Sequence, residues 1–272
     1  MAPNAAADHR ERCAGSGDGT GAAYGPIAER GRGSVDRVRF HPVPYSADRF
    51  HEKKTGATTM TTVQRICFFG DSITIGTGDI ACRGWPSYAC EQEGVVRGHD
   101  VSCYNLGIRA ETSTDIAQRW RHEYAPRLPA HVTGRLVFMF GVNDCADFNG
   151  TGVRVPKGDS LATAVSMLSQ AKDLLPTLWI GMTPVRRTPP VISPGPGVTY
   201  TFDRTRTAEL NDAYRTAAAQ IGIPYLDLHT LLAQDPDWND MLDQGDGVHP
   251  DDAGHRRVAE LVTEFDGWRA WF

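Results

Sequence analysis

The sequence predicts an α/β fold in which a parallel β-sheet lies between two layers of helices. From Val63 onward, short apolar runs alternate with longer amphipathic ones. Most of the apolar runs are continuous, which is typical of parallel strands that are buried on both faces. Right-handed crossovers between such strands place helices on both sides of the sheet. We therefore expect a single-domain, three-layer α/β/α sandwich.

Five runs have the length and composition of buried strands. Each is short and apolar, and each is followed by turn residues or by an amphipathic segment. The predicted strands are QRICFFG (64–70), DVSCYNLG (100–107), GRLVFMFG (134–141), TLWIGMTP (177–184) and IPYLDL (223–228).

Helical patterns follow each of these strands. The second begins with a Thr or Ser cap, the fourth ends on Gly222, and the fifth has proline and then acidic residues in its first turn, as helix ends favour. The predicted helices are 85–96, 112–128, 159–175, 206–222 and 250–265.

Residues 1–60 differ in composition from the rest of the chain. They are rich in Gly, Ala, Arg and Asp and show no sustained period, so we expect a disordered, low-complexity leader before a domain that spans 61–272. Met60 directly precedes the first strand, and a start at Met60 is an alternative interpretation. The first residues lack the apolar region of a signal peptide, and no run is long enough for a membrane span, so a cytoplasmic location is expected.

Charge and cysteine content exclude several classes of function. The net charge is -5, whereas a nucleic-acid-binding protein would need a basic face. The six cysteines form no CxxC pair and no HExxH motif occurs, so neither a metal nor a cofactor is expected. Free thiols are the simpler interpretation of Cys82 and Cys90, although their spacing also allows a disulfide. The oligomeric state has no signal in the sequence.

Chemically useful residues follow four of the predicted strands. Ligands of parallel sheets bind beyond the carboxyl ends of the strands. Ser72, Gly107, Asn143 and the segment after Asp227, with Asp246 and His249, all lie at or beyond such ends. Each stretch alone has an ordinary explanation as a turn or a helix cap.

Taken together, these residues supply the parts of serine-based acyl transfer. A hydroxyl such as that of Ser72 needs a base, and Asp246 can orient the imidazole of His249 for that purpose. The Ser72 N–H, the Gly107 N–H and the Asn143 amide can donate to an oxyanion. This pattern predicts a catalytic group of Ser72, Asp246, His249, Gly107 and Asn143.

Four motifs resemble those of the SGNH hydrolases, also called the GDSL lipase/esterase family. They are GDSIT with Ser72, NLG with Gly107, GVND with Asn143 and DGVHP with Asp246 and His249. The resemblance spans about residues 63–265 and implies a flavodoxin-like sheet of five parallel strands, a Ser-His-Asp triad and a Ser/Gly/Asn oxyanion hole. Many members have a second glycine where this chain has Ala110, which puts the conformation of that turn in question.

The resemblance implies a serine-dependent ester hydrolase that acts on a small-molecule ester. Acyl transfer to another acceptor, or deacetylation of carbohydrate esters, would use the same residues. A flavodoxin-like FMN-binding module is an alternative of another class, but it leaves Asn143, Asp246 and His249 without a role. An ordinary α/β-hydrolase would need a GxSxG elbow. We expect specificity to lie in two long loops, 143–160 and 183–203.

Overall fold

The computed structural model describes residues 63–272. The predicted leader and the alternative start at Met60 lie outside the described residues. Within them the chain forms eight strands. They are β1 (Gln64–Gly70), β2 (Val101–Gly107), β3 (Thr133–Met139), β4 (Asp147–Phe148), β5 (Thr177–Ile180), β6 (Val191–Gly195), β7 (Val198–Thr201) and β8 (Tyr225–Leu226).

Five of these strands form the main sheet. Its order is β2-β1-β3-β5-β8 and every neighbouring pair is parallel. This is the flavodoxin-like order, with the first strand of the sheet placed inside it. The fold class predicted from the sequence is therefore confirmed. Gly70 at the end of β1 pairs with both Gly107 and Met139, so the ends of β1, β2 and β3 share one edge.

Helices cover both faces of this sheet. The helices are α1 (Ser72–Ile75), α2 (Gly84–Glu91), α3 (Ser113–Tyr124), α4 (Lys157–Leu174), α5 (Arg204–Ile221), α6 (Leu228–Ala233), α7 (Pro236–Gln244), α8 (Asp252–Glu264) and α9 (Asp266–Arg269). One group, α2, α8 and α9, packs together, and so does the group of α3, α4 and α5. A π-helical turn, Gln92–Val96, continues α2.

Two helix ends have the predicted capping chemistry, whereas α8 begins after its Asp251 cap and leaves Pro250 outside the first turn. Thr112 and Asp115 form a reciprocal capping box at the start of α3. Gly222 ends α5 in the left-handed conformation, with φ of 66°. The predicted last strand is shorter than expected, because Asp227 caps a helix that begins at Leu228. Two helices, α6 and α7, therefore fill a segment for which the sequence predicted none.

The core lies between the sheet and the two helical layers. Side chains of β1, β3 and β5 are almost entirely buried, including Phe68, Phe138 and Trp179. Trp85 and Trp120 are buried as well. Phe68 contacts Trp85 edge-on and Phe138 contacts Trp120 in the same way.

The two segments expected to be long loops form a second, smaller sheet. Strands β4, β7 and β6 pair in that order, and both pairs are antiparallel. The prediction of loops for 143–160 and 183–203 is therefore wrong. Strand β4 has only two residues and β6 contains Pro194 and Gly195. Strand β7 alternates apolar and polar residues over only four positions, which is too short to distinguish a strand from a loop in the sequence.

Three further predictions concern cysteines, metals and membranes. Cys82 and Cys90 are both free thiols. Among residues 63–272, no group of three His, Cys, Asp or Glu side chains is placed to hold a metal ion. Within the same range, no helix has the length and hydropathy to cross a membrane.

Candidate active site

Ser72 lies on a tight turn from β1 into α1. Asp71 caps this short helix by accepting a hydrogen bond from the Ile73 N–H at 3.0 Å. A Cβ atom on Gly70 would lie 2.4 Å from the Met139 carbonyl oxygen, so only glycine allows the turn to leave the sheet here. Within residues 63–272 the Ser72 N–H has no hydrogen-bond partner.

The imidazole of His249 lies between Ser72 and Asp246. Its Nε2 atom is 2.8 Å from Ser72 Oγ, and its Nδ1 atom is 2.6 Å from Asp246 Oδ2. An ionised carboxylate only accepts hydrogen bonds, so the proton of a neutral imidazole resides on Nδ1. Nε2 is then left to accept the hydrogen bond of the Ser72 hydroxyl. This is the hydrogen-bond chain that a serine nucleophile requires.

Asp246 is held in its ionised form by the loop that it organises. Its Oδ1 atom accepts from the backbone N–H groups of Val248 and His249, at 2.9 and 2.8 Å. Burial raises the pKa of Asp246, but the hydrogen bonds from the His249 ring, from His249 N–H and from Val248 N–H outweigh burial and lower this pKa to about 2. Asp246 is therefore a carboxylate over the whole neutral range.

The loop after α1 supports His249 from the other side. A Cβ atom on Gly78 would lie 2.1 Å from the Pro250 carbonyl oxygen and 3.5 Å from His249 Cβ, and Gly78 has φ of +97°. The buried His255 ring contacts the Thr77 carbonyl through Nε2 at 3.1 Å. Sequence reasoning missed Gly78 and His255, because neither belongs to a motif and only the packing of two distant loops gives them a role.

Asn143 follows β3 and is buried beside Ser72. Its Nδ2 atom donates to the Glu111 carbonyl oxygen at 2.9 Å and to Asp71 Oδ2 at 3.3 Å. Burial raises the pKa of Asp71 to about 6, although the Ile73 N–H and the nearby His249 lower it. The contact with Asp71 is the longer and therefore the weaker of the two. Sequence analysis gave Asp71 no role beyond the motif.

Gly107 is brought close to Ser72, but its N–H already has a partner. The Gly107 N–H donates to Asn105 Oδ1 at 3.1 Å. A Cβ atom on Gly107 would lie 2.4 Å from Ile75 N and 2.8 Å from the Asp71 carbonyl oxygen. The packing of α1 against the end of β2 therefore explains why this residue is glycine. Its role as an oxyanion donor remains a prediction, and it requires Asn105 to release the N–H.

Ala110 adopts the conformation that a glycine would supply. Its φ of 63° is in the left-handed region, which few non-glycine residues adopt. Its carbonyl oxygen accepts a hydrogen bond from Arg154 Nη1 at 2.6 Å. No described residue accepts a hydrogen bond from the Ala110 N–H. The substitution of alanine at this position thus leaves a left-handed turn in place, with a backbone N–H available.

Comparison with known proteins identifies the family of the chain. Residues 68–257 match the model of the GDSL-like Lipase/Acylhydrolase family. A search of curated protein sequences found no match.

Solved structures of related proteins share the fold. A lipase/acylhydrolase from Enterococcus faecalis is 20% identical, with a TM-score of 0.56 over 76% of this chain and 96% of that chain. A lipolytic protein of the G-D-S-L family from Veillonella parvula is 20% identical, with a TM-score of 0.57 over 75% and 98%. An acetylxylan esterase from Geobacillus stearothermophilus is 18% identical, with a TM-score of 0.53 over 74% and 94%.

The family match spans most of the described residues and includes the turn with Ser72 and the loop with His249. The structural likenesses extend over nearly the whole length of the compared proteins. This chain is therefore a carboxylic ester hydrolase that belongs to the GDSL-like lipase/acylhydrolase family.

Proposed function

We propose that the protein hydrolyses small carboxylic esters through an acyl-enzyme formed on Ser72. The observation that carries this proposal is the continuous hydrogen-bond chain from Ser72 Oγ through His249 to Asp246, with distances of 2.8 and 2.6 Å. No change of conformation is needed to bring nucleophile, base and orienting carboxylate into contact.

In the acylation step, Ser72 Oγ attacks the ester carbonyl carbon while its proton moves to His249 Nε2. The tetrahedral intermediate then expels the alcohol, which takes this proton from Nε2. Asp246 stays ionised throughout, since its pKa of about 2 is far below the pH of the reaction. Its negative charge stabilises the imidazolium that exists between the two proton transfers.

The oxyanion of the intermediate needs hydrogen-bond donors near Ser72. We assign two of them to the Ser72 N–H and the Asn143 amide, which would exchange its long contact with Asp71 for the oxyanion. For a third donor, the Gly107 N–H is the assignment from the motif, and the Ala110 N–H is the alternative. The Gly107 N–H would have to release Asn105 Oδ1 to act, whereas the Ala110 N–H has no acceptor among the described residues.

Deacylation repeats these steps with water as the nucleophile. His249 Nε2 takes a proton from the water as the water oxygen attacks the acyl carbon, and Ser72 Oγ then leaves with that proton. An alcohol in place of water would make the protein an acyltransferase with the same residues. The acetylxylan esterase among the structural neighbours supports acetylated carbohydrates as one class of substrate to test. The acylhydrolase family match supports an esterase over the FMN-binding alternative.

The test uses p-nitrophenyl esters of increasing acyl chain length and acetylated xylo-oligosaccharides, with and without an alcohol acceptor. Ser72→Ala should lower kcat by roughly a thousandfold or more, because the nucleophile is lost. Ser166→Ala, on α4, serves as the control for a serine outside the site. Turnover by Ser72→Ala close to that of the wild type would contradict the proposal.

A further inference from the structure

The small sheet contacts both loops of the proposed active site. One of its segments, 143–160, carries Arg154, and the other, 183–203, carries Arg186 and Pro190. These segments lie more than twenty residues apart in the chain and are joined through β4 and β7, where Asp147 pairs with Thr201 and Phe148 with Tyr200.

Arg154 connects the small sheet to the loop after β2. Its Nη1 atom donates to the Ala110 carbonyl oxygen at 2.6 Å, and its guanidinium lies 5.2 Å from the centre of the Tyr200 ring of β7. The side chain is only 20% exposed. The guanidinium thus contacts the Ala110 carbonyl oxygen, the Tyr200 ring and, through Nη2 at 4.0 Å, Asp115 Oδ2.

The carbonyl group that Arg154 contacts belongs to a strained residue, Ala110, which directly precedes the acceptor of the Asn143 amide. Ala110 is in the left-handed region, which costs energy for any residue with a Cβ atom. The next carbonyl oxygen, of Glu111, accepts the hydrogen bond of Asn143. Arg154 and Asn143 thus bind two consecutive carbonyl groups of one loop, so a shift at Ala110 would move the acceptor that orients the Asn143 amide.

The second segment contacts the loop of the proposed base. The Arg186 N–H donates to the Gly247 carbonyl oxygen at 2.8 Å, between Asp246 and His249 in the chain. Pro190 packs closely against Gly247: a Cβ atom added to Gly247 would lie 2.8 Å from the Cβ atom of Pro190. The Pro190 carbonyl oxygen in turn accepts from Phe202 N–H, directly after β7, at 3.0 Å.

We propose that Arg154 is a positioning residue for ester hydrolysis, and that the small sheet ties the loop of Ala110 to the loop of Asp246 and His249. This inference rests on the proposed function. Arg154 does not touch the reacting atoms. It acts by keeping Ala110 and, through Glu111, Asn143 in the geometry that stabilises the oxyanion.

The test compares Arg154→Met and Arg154→Lys with the wild type. Arg121→Met is a matched control, because Arg121 also lies over an aromatic ring, at 5.0 Å from Trp120, and donates to Gln170 at the exposed face of the helices. The measurements are kcat and KM with p-nitrophenyl acetate, the rate at which a fluorophosphonate labels Ser72, and active-site titration to count competent molecules.

Arg154→Met should lower kcat per competent site by about tenfold to a hundredfold, with KM changed less than about twofold. The labelling rate should fall in parallel, Arg154→Lys should recover part of the loss, and Arg121→Met should match the wild type. A kcat per competent site for Arg154→Met within about twofold of the control would overturn the inference, as would a loss that titration explains by fewer folded molecules.

A second comparison tests the route through Ala110. Glycine adopts the left-handed conformation without strain, so the effect of Arg154→Met should be smaller in an Ala110→Gly background. An equal loss in both backgrounds would contradict that route. Ser72→Ala separates the two proposals: if it retains turnover the proposed function fails, whereas an inactive Ser72→Ala beside a fully active Arg154→Met overturns only the role of Arg154.

Discussion

His249 Nε2 lies 2.8 Å from Ser72 Oγ, although 177 positions separate the two residues in the chain. Ser72 is placed by the turn at the end of β1, whereas His249 is placed by the loop before α8. Their contact depends on packing between these two parts, which Gly78 and Pro250 provide.

The side chain of Asp246 should be needed as a carboxylate and not only as a hydrogen-bond acceptor. In Asp246→Asn, the amide oxygen still accepts from Val248 and His249 N–H, but the amide nitrogen faces Nδ1. The imidazole would then carry its proton on Nε2, where it cannot accept the proton of Ser72. We expect kcat per folded molecule to fall by roughly a hundredfold or more, with Asp243→Asn on α7 as the control. Wild-type kcat in Asp246→Asn would contradict this role.

Asn143→Ala should remove one oxyanion donor. Loss of such a donor typically lowers kcat by about a hundredfold to a thousandfold, because the charge of the intermediate loses a preorganised partner. Steady-state kinetics with p-nitrophenyl acetate measures the effect, and Gln170→Ala, an amide on the outer face of α4, is the control. An unchanged kcat would show that Asn143 serves only to hold the Glu111 carbonyl and Asp71.

Gly78→Ala should disturb the position of His249, whereas Gly98→Ala should not. Both glycines have positive φ, of +97° and +77°, so both substitutions cost about 1 kcal/mol of backbone strain. Only at Gly78 would the new Cβ meet a neighbour, the Pro250 carbonyl oxygen at 2.1 Å, while nothing lies within 4 Å at Gly98. We expect kcat to fall by at least about tenfold in Gly78→Ala and to stay unchanged in Gly98→Ala. Equal kcat values for the two variants would refute the supporting role of this loop.

Ala110→Gly should not destabilise the protein. The left-handed alanine costs about 1 kcal/mol, and glycine removes this strain while it adds a similar entropy to the unfolded chain. The free energy of unfolding in urea should therefore stay within about 1 kcal/mol of the wild type or rise slightly. Ala162→Gly, on the exposed face of α4, should instead lose about 1 kcal/mol. If Ala110→Gly lowered the free energy of unfolding more than Ala162→Gly does, the left-handed alanine would not be strained.

Asp71 should make stability fall as the pH rises through weakly acidic values. Burial raises its pKa from 3.8 in the unfolded chain to about 6 in the folded protein. The folded state therefore binds the proton more tightly, and this stabilisation is complete below about pH 4 and lost as the pH rises through about 6. The opposite holds for Asp246. Its pKa is lowered to about 2, so its ionised form stabilises the fold above about pH 4, and this stabilisation is lost as the pH falls towards 2.

The free energies of unfolding of the wild type and of Asp71→Asn, measured from pH 4 to 7.5, test this assignment. Asparagine has no charge to bury, so the variant should gain relative to the wild type as the pH rises. The gain should be on the order of 3 kcal/mol at most. Parallel pH curves for the two proteins would show that Asp71 does not titrate in this range.

The sequence by itself determined the main sheet and the order of the site motifs. Continuous apolar runs such as ICFF in β1 and LVFM in β3 are typical of strands that are buried on both faces, so local composition is sufficient to predict them. The placement of Ser72, Asn143 and His249 near one edge followed from the rule that ligands bind at the ends of parallel strands.

Only the tertiary structure decided which groups in these loops are free to act. The hydrogen bond from Gly107 to Asn105, the left-handed Ala110 and the contact of Arg154 with its carbonyl involve backbone atoms, and no residue pattern specifies their partners. The small sheet is likewise invisible in the sequence, because its strands are short and half-exposed and β4 joins it only by pairing with the distant strand β7. Contacts between segments far apart in the chain form only when the whole domain packs.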